Sequence, residues 1–170
     1  MCINGSQSKG FRQPETKSAK TLYNMAIGMK SVFQTKLIEW AKEGGTVYVG
    51  DLKSVKRFLQ KTFRSYDGSI SRNCDLIRGT IVFGEFCCIL PMIEKILADD
   101  DFMILKATNR FNVKSLIGGY RDVNLVLKYR SNNFICELQL NTKTFHDLKE
   151  GQAPNAGHDM YAKSRDINAT

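Results

Sequence analysis

The sequence predicts an α+β domain built on a mixed, partly antiparallel β-sheet flanked by helices. Three observations carry that expectation. Leu22, Met25, Met29, Phe33, Leu37 and Trp40 recur at three- and four-residue intervals, the apolar stripe of a helix that ends at Gly44-Gly45. Two β-rich runs, Val123 to Tyr129 and Phe134 to Leu140, flank the turn Ser131-Asn132-Asn133 and make an antiparallel hairpin. No GxGxxG or GxxxxGK[ST] motif occurs, so a doubly wound parallel sheet with a Rossmann or Walker phosphate site is not supported.

The remaining elements follow in order. Residues 1–19 are rich in Ser, Gln, Lys and Gly and read as a mobile tail, because so few apolar side chains cannot offset the entropy of ordering. Residues 20–170 then form a single domain. A second helix is expected to open at Asp51 as its N-cap, with Leu52, Val55, Phe58, Leu59 and Phe63 on one face and Lys53, Lys56, Arg57 and Lys61 on the other. Leu76 to Phe83 reads as a strand stopped by Gly84. A helical pattern runs from Phe86 to Leu97, with Pro91 leaving its start open. Phe102 to Lys106 looks like a further strand. A last helix runs from Thr142 toward Lys149, is interrupted near Pro154 and Gly157, and resumes to Arg165.

With 170 residues, 42% hydrophobic and 25% charged, the chain can bury a core without disulfides or a structural metal. The longest apolar run, Phe86 to Ile93, is far short of a membrane span, and the first residues show no basic-then-apolar leader, so no membrane association is expected. Five cysteines, odd in number and without CxxC spacing, read as small core residues in a reducing, cytoplasmic compartment. Only two histidines are present, which argues against a zinc or iron site. Lys and Arg number 25 against 17 Asp and Glu, and a net charge of +8 steers polyanions such as nucleotides or RNA toward the surface.

Alternation along the last strand puts Phe134, Cys136, Leu138 and Leu140 on one face and Ile135, Glu137, Gln139 and Asn141 on the other. The neighbouring strand likewise puts Asp122, Asn124 and Lys128 opposite Val123, Leu125, Leu127 and Tyr129. The two polar faces are either an ordinary solvent-facing sheet surface or the floor of a binding site. Asp75 is either a turn residue after Asn73 or, if its strand lies beside the hairpin, a partner of Glu137 in holding Mg²⁺, which takes one or two carboxylates plus phosphate oxygens. The basic residues Lys53, Lys56, Arg57 and Lys61 are either a solvated helix face or a grip on phosphates.

Asp75-Leu-Ile, Gly119-Tyr120-Arg121 and above all Glu137-Leu-Gln139-Leu-Asn-Thr-Lys-Thr-Phe-His146, with Lys53-Ser54 and Lys61 upstream, resemble the synthetase domain of the RelA/SpoT enzymes, the (p)ppGpp synthetases. The likeness runs from about residue 50 to residue 165. It implies a nucleotidyltransferase-like fold and an Mg²⁺-dependent enzyme that moves the β,γ-pyrophosphate of ATP to the 3′-hydroxyl of a guanosine or related nucleotide. Carried over position by position, Asp75 resembles the metal aspartate and Glu137 the essential glutamate. Lys53, Ser54, Lys56, Arg57, Lys61 and Arg78 fall on the ATP side. Tyr120, which matches the tyrosine that stacks on the acceptor base, falls on the acceptor side with Arg121, Asn124, Gln139, Asn141 and His146.

The departures are as informative as the matches. The family pattern Gly-Tyr-Arg-Ser-x-His reads Gly-Tyr-Arg-Asp-Val-Asn here, so Asn124 replaces a histidine, and Asn141 and Thr80 stand where arginines are usual. These changes keep two alternatives open: a toxin-like enzyme that pyrophosphorylates the 3′ end of tRNA, and a non-catalytic nucleotide- or RNA-binding module. The dipeptides His146-Asp147 and His158-Asp159 do not make an alarmone hydrolase, since that companion domain is all-helical and needs further histidines.

Overall fold

The computed structural model describes residues 10–16, 18–112 and 120–150. The first helix, α1 (Ala19–Trp40), buries Leu22, Ala26, Met29, Phe33, Leu37 and Trp40, the expected stripe with Ala26 in place of Met25. A 3-10 turn, Ala41–Glu43, leads to Gly44 and Gly45 at φ 138° and 156°. Side chains rarely adopt such angles, and a Cβ on Gly45 would stand 2.8 Å from the Ile81 side chain. The turn delivers β1 (Thr46–Val49), a strand that the sequence reading passed over although Thr-Val-Tyr-Val are all strong strand formers.

Asp51 does not open the second helix. It is exposed and pairs with Lys30 at 3.4 Å. The helix, α2 (Val55–Ser65), starts three residues later, where the Ser54 hydroxyl accepts a hydrogen bond from the Arg57 N–H. Residues 51–54 are instead in neither helix nor strand, tied by Lys53 N–H to the Leu76 carbonyl and by the Tyr23 hydroxyl to the Lys53 carbonyl. The apolar face of α2 is also corrected: it docks through Phe58 and Thr62, and leaves Val55, Leu59 and Phe63 exposed, Phe63 by 69%. A four-residue spacing on a short helix fits two adjacent faces, and the one bearing Lys61 is turned inward by the ion pair described below.

Then come β2 (Arg78–Phe83), a 3-10 turn at Phe86–Cys88 and α3 (Ile89–Leu97). Pro91 lies in the first turn of α3, where no N–H is needed. The next strand, β3 (Phe102–Asn109), is longer than expected. The hairpin strands are β4 (Val123–Tyr129) and β5 (Ile135–Thr142), followed by α4 (Lys143–Lys149). Asn133 at φ 60° makes the hairpin turn. The expected continuation of the last helix toward Arg165 lies outside the described residues.

The sheet order is β1-β2-β5-β4-β3. Only the central β2–β5 pair is parallel; β1–β2, β4–β5 and β3–β4 are antiparallel. This is the mixed sheet that the sequence predicts. One face packs on α1, and at Gly79 the approach is so close that a Cβ would overlap Leu37 and stand 3.2 Å from the Phe33 ring. Trp40, Phe33, Phe58, Phe102 and Phe134 are among the largest side chains fully buried in that core.

Two further expectations change. Cys136 is buried, but Cys87 and Cys88 are exposed, because the apolar run around them is a helix start that shows one side to solvent. Part of the expected mobile tail is fastened to the sheet. Gln13 is only 3% exposed, and its carboxamide accepts from the Ile135 N–H and donates to the Ile135 and Asn73 carbonyls, at 2.9, 2.9 and 3.2 Å. It completes the β5 backbone just where β2 has not yet begun to pair. Gln13→Ala is expected to lower stability by about 2–4 kcal/mol, because buried backbone groups lose their partners; urea unfolding checks this. Among the described residues no helix is long and apolar enough to cross a membrane.

Candidate active site

Because β2 and β5 run parallel with Arg78 opposite Glu137, the side chains of Arg78 and Thr80 share a face with those of Glu137, Gln139 and Asn141. On the other side of β5, Asn124 lies opposite Gln139. This is the face away from α1. The polar alternation of two strands thus becomes one continuous polar surface, and α4 folds back over it. His146, in α4, is buried and stacks on Tyr48 of β1 at 4.3 Å. Phe145 meets Phe111 edge-on. The imidazole therefore helps seat α4 on the sheet.

Glu137 is held by amides. Its Oε1 accepts from Asn124 Nδ2 at 2.9 Å and from Gln139 Nε2 at 3.0 Å, so both contacts fall on one oxygen and Oε2 is left for a ligand. Gln139 Oε1 accepts from Lys149 Nζ at 3.0 Å. Asn141 donates to the Tyr120 hydroxyl at 3.3 Å, and that hydroxyl lies 3.0 Å from Asp122 Oδ2 and 3.3 Å from Gln139 Oε1. Six polar residues from β4, β5 and the segment before β4 thus form one hydrogen-bonded group. Arg121 is turned aside, bonding the Tyr120 carbonyl. Sequence reasoning placed Asp122 on the polar face but gave it no role; its signal was an acid where the family pattern has serine.

A second cluster stands at the start of β2. Asp75 Oδ2 accepts from Lys53 Nζ at 2.5 Å and from Lys61 Nζ at 2.9 Å, and its Oδ1 is buried without a hydrogen-bond partner. Burial works against the Asp75 carboxylate, but the two ammonium groups prevail and hold it below the ordinary carboxylate range. For Lys61 burial is likewise outweighed by Asp75, and its ammonium is lifted to about 12. Burial prevails at Lys53, which is lowered. Lys53 lies in the segment before α2, not on the helix as expected. Lys56 and Arg57 are exposed on the first turn of α2, and Ser54 is its N-cap.

Asp75 stands three residues before Arg78, the register partner of Glu137, and three residues of chain span at most about 11 Å. Asp75 lies in a turn just before β2, which begins at Arg78 and not at Leu76 as expected, and Glu137 lies on β5; each carboxylate has its own set of hydrogen bonds. No group of three or more metal-binding side chains exists among the described residues. A carboxylate with a free oxygen nevertheless suits Mg²⁺, which takes its remaining ligands from phosphates and water. The orphaned Asp75 Oδ1 is the atom on which that fit rests.

No protein-family model matches the chain, and no curated protein matches it in sequence. Solved structures do resemble it. They include the small alarmone synthetase 2 from Bacillus subtilis, at 16% identity over 89% of this chain and 83% of that one, with a TM-score of 0.69. The small alarmone synthetase 1 from Bacillus subtilis, bound to its product pppGpp, superposes at TM-score 0.61 with 18% identity over 84% of this chain and 76% of that one. The Type VI effector Tas1, in complex with its immunity protein, matches at TM-score 0.58 and 24% identity over 72% of this chain and 60% of that one. The fold is that of the RelA/SpoT-type alarmone synthetases, as the resemblance in sequence implied.

Proposed function

We propose that the protein is an ATP-dependent pyrophosphokinase that moves the β,γ-pyrophosphate of ATP to the 3′-hydroxyl of a guanosine or related nucleotide. The observation that carries this reading is Glu137: a carboxylate pinned through one oxygen by two amides, beside Arg78 and at the same sheet end as the Asp75–Lys53–Lys61 cluster. Lys53, Lys61 and Arg78 bring positive charge to the donor phosphates, with the exposed Lys56 and Arg57 at the rim. Asp75 would hold Mg²⁺ through Oδ1, which leaves the free oxygen of Glu137 for the acceptor hydroxyl. When bound, the cation neutralises charge on the transferred group. The acceptor 3′-oxygen bonds to the β-phosphorus as the bond from that phosphorus to the α-bridging oxygen breaks. AMP leaves, and Glu137 Oε2 takes the hydroxyl proton. Tyr120 supplies the ring on which the acceptor base stacks.

A structural neighbour that holds pppGpp supports a guanosine acceptor. A second reading, transfer to the tRNA 3′ end, is favoured by the net charge of +8, since phosphate contacts dominate RNA affinity. The likeness to a Type VI effector is in keeping with a toxin. Incubation with Mg²⁺, γ-labelled ATP and GDP, GTP or tRNA, read by mass spectrometry, separates them. Label in a nucleotide with matching AMP is expected. Label in tRNA alone replaces the first reading with the second, and absence of AMP with every acceptor leaves a binding module.

A further inference from the structure

We propose that Asp122 is a positioning residue that orients Tyr120 and, through the amides of Asn141 and Gln139, fixes the side of the polar face on which the acceptor base stacks. The inference rests on the pyrophosphokinase reading for its substrate, but its geometry stands apart from it. Asp122 has no exposed surface, so it cannot itself touch a nucleotide. Its surroundings are nonetheless specific. Oδ2 faces the Tyr120 hydroxyl at 3.0 Å, and Arg110 Nε lies 3.3 Å from Oδ1 in an ion pair without hydrogen-bond geometry. The Arg110 N–H donates to the Asp122 carbonyl, which keeps the guanidinium close.

The phenol carries one proton and has two acceptors within reach, Asp122 Oδ2 at 3.0 Å and Gln139 Oε1 at 3.3 Å. A carboxylate is the stronger acceptor, so the proton points to Asp122. Gln139 Oε1 is then free for Lys149, and Gln139 Nε2 for Glu137. The phenol oxygen accepts from Asn141 Nδ2, and Asn141 Oδ1 accepts from the Thr142 N–H at 2.9 Å, which sets that amide as well. Lys149 Nζ stands 5.7 Å from the centre of the Tyr120 ring, so a base must stack on the opposite face or displace the ammonium. Removing the carboxylate lets the phenol proton swing to Gln139 Oε1, where it competes with Lys149 and disturbs the amide that steadies Glu137. Burial first, and then the charge of Asp122, push the Tyr120 phenol well above the ordinary tyrosine range; Arg110 opposes and Glu137 reinforces this. Burial also raises the Asp122 carboxyl, against Arg110, Tyr120 and Lys149.

The test uses the full chain with ¹³C at tyrosine Cζ, the Tyr120 signal being assigned with Tyr120→Phe. In the parent, Tyr120 is expected to stay protonated after exposed tyrosines have titrated near pH ~10. In Asp122→Asn its Cζ shift moves and its titration falls toward theirs. In the same variant kcat/KM for the acceptor nucleotide is expected to fall about tenfold, with KM for ATP unchanged. Asp122→Ser, which restores the residue of the family pattern and buries no charge, serves if Asp122→Asn does not fold, with the same expectations. An unmoved Tyr120 signal, or equal changes in both KM values, overturns the proposal. If the parent forms no product with any acceptor, the functional reading fails, and the NMR titration alone decides whether Asp122 positions Tyr120.

Discussion

Glu137→Gln is expected to abolish pyrophosphate transfer, by about a thousandfold or more, while leaving the protein folded. The substituted carboxamide keeps an oxygen where Oε1 now stands, so Asn124 and Gln139 retain their acceptor and the hydrogen-bonded group survives. What is lost is Oε2. An amide nitrogen there does not take a proton from the 3′-hydroxyl, and it presents hydrogens to groups that need an acceptor. The check is product formation beside an unfolding curve for each protein. Parental activity in the variant would remove Glu137 from the chemistry; a collapsed midpoint would instead make it a structural residue.

Asp75→Asn is expected to lose both activity and stability, the latter by about 3–5 kcal/mol. The side chain that holds Lys53 and Lys61 would become neutral, and two ammonium groups, one of them nearly buried, would share a site without a counter-charge. Replacing Lys53 with Met in the same chain is expected to recover part of the lost stability, because the more buried of the two ammonium groups leaves with its partner while Lys61 stays. Activity is not expected to return. The pH dependence follows from the lowered Asp75 carboxyl. The folded chain binds this proton less tightly than the unfolded one, so the contribution is complete above the unfolded value of about 3.9 and is lost as pH falls through the lower folded value. Urea unfolding below pH ~4 should therefore show a smaller loss on acidification in Asp75→Asn than in the parent. Equal acid dependence would mean that the lysines do not hold this carboxylate in solution.

Much of the polar face was legible beforehand, since side-chain alternation is a local rule: once β4 and β5 are recognised as a hairpin, Glu137, Gln139, Asn141 and Asn124 fall on one side. The stripe of α1 was legible for the same reason, because a long helix repeats its period often enough to be read. Short elements were harder. β1 has four residues, and α2 has eleven with two plausible faces, so neither period decides where the element starts or which side it buries. Pairing with β2 places β1, and the approach of Leu76 to Lys53 and of Asp75 to Lys61 places α2.

The order of residues along the chain by itself determined an α+β domain, the hairpin, the polar faces of its two strands and a net positive charge. It did so because these depend on neighbours within a few positions or on simple sums. The tertiary structure alone decided that β2 lies parallel against β5, that Asp75 is clasped by two lysines, that Gln13 is drawn out of the tail to complete a strand, and that Asp122 is buried against Tyr120. Each of these joins segments far apart in sequence, and no periodicity within one segment encodes which distant backbone or charge will meet it.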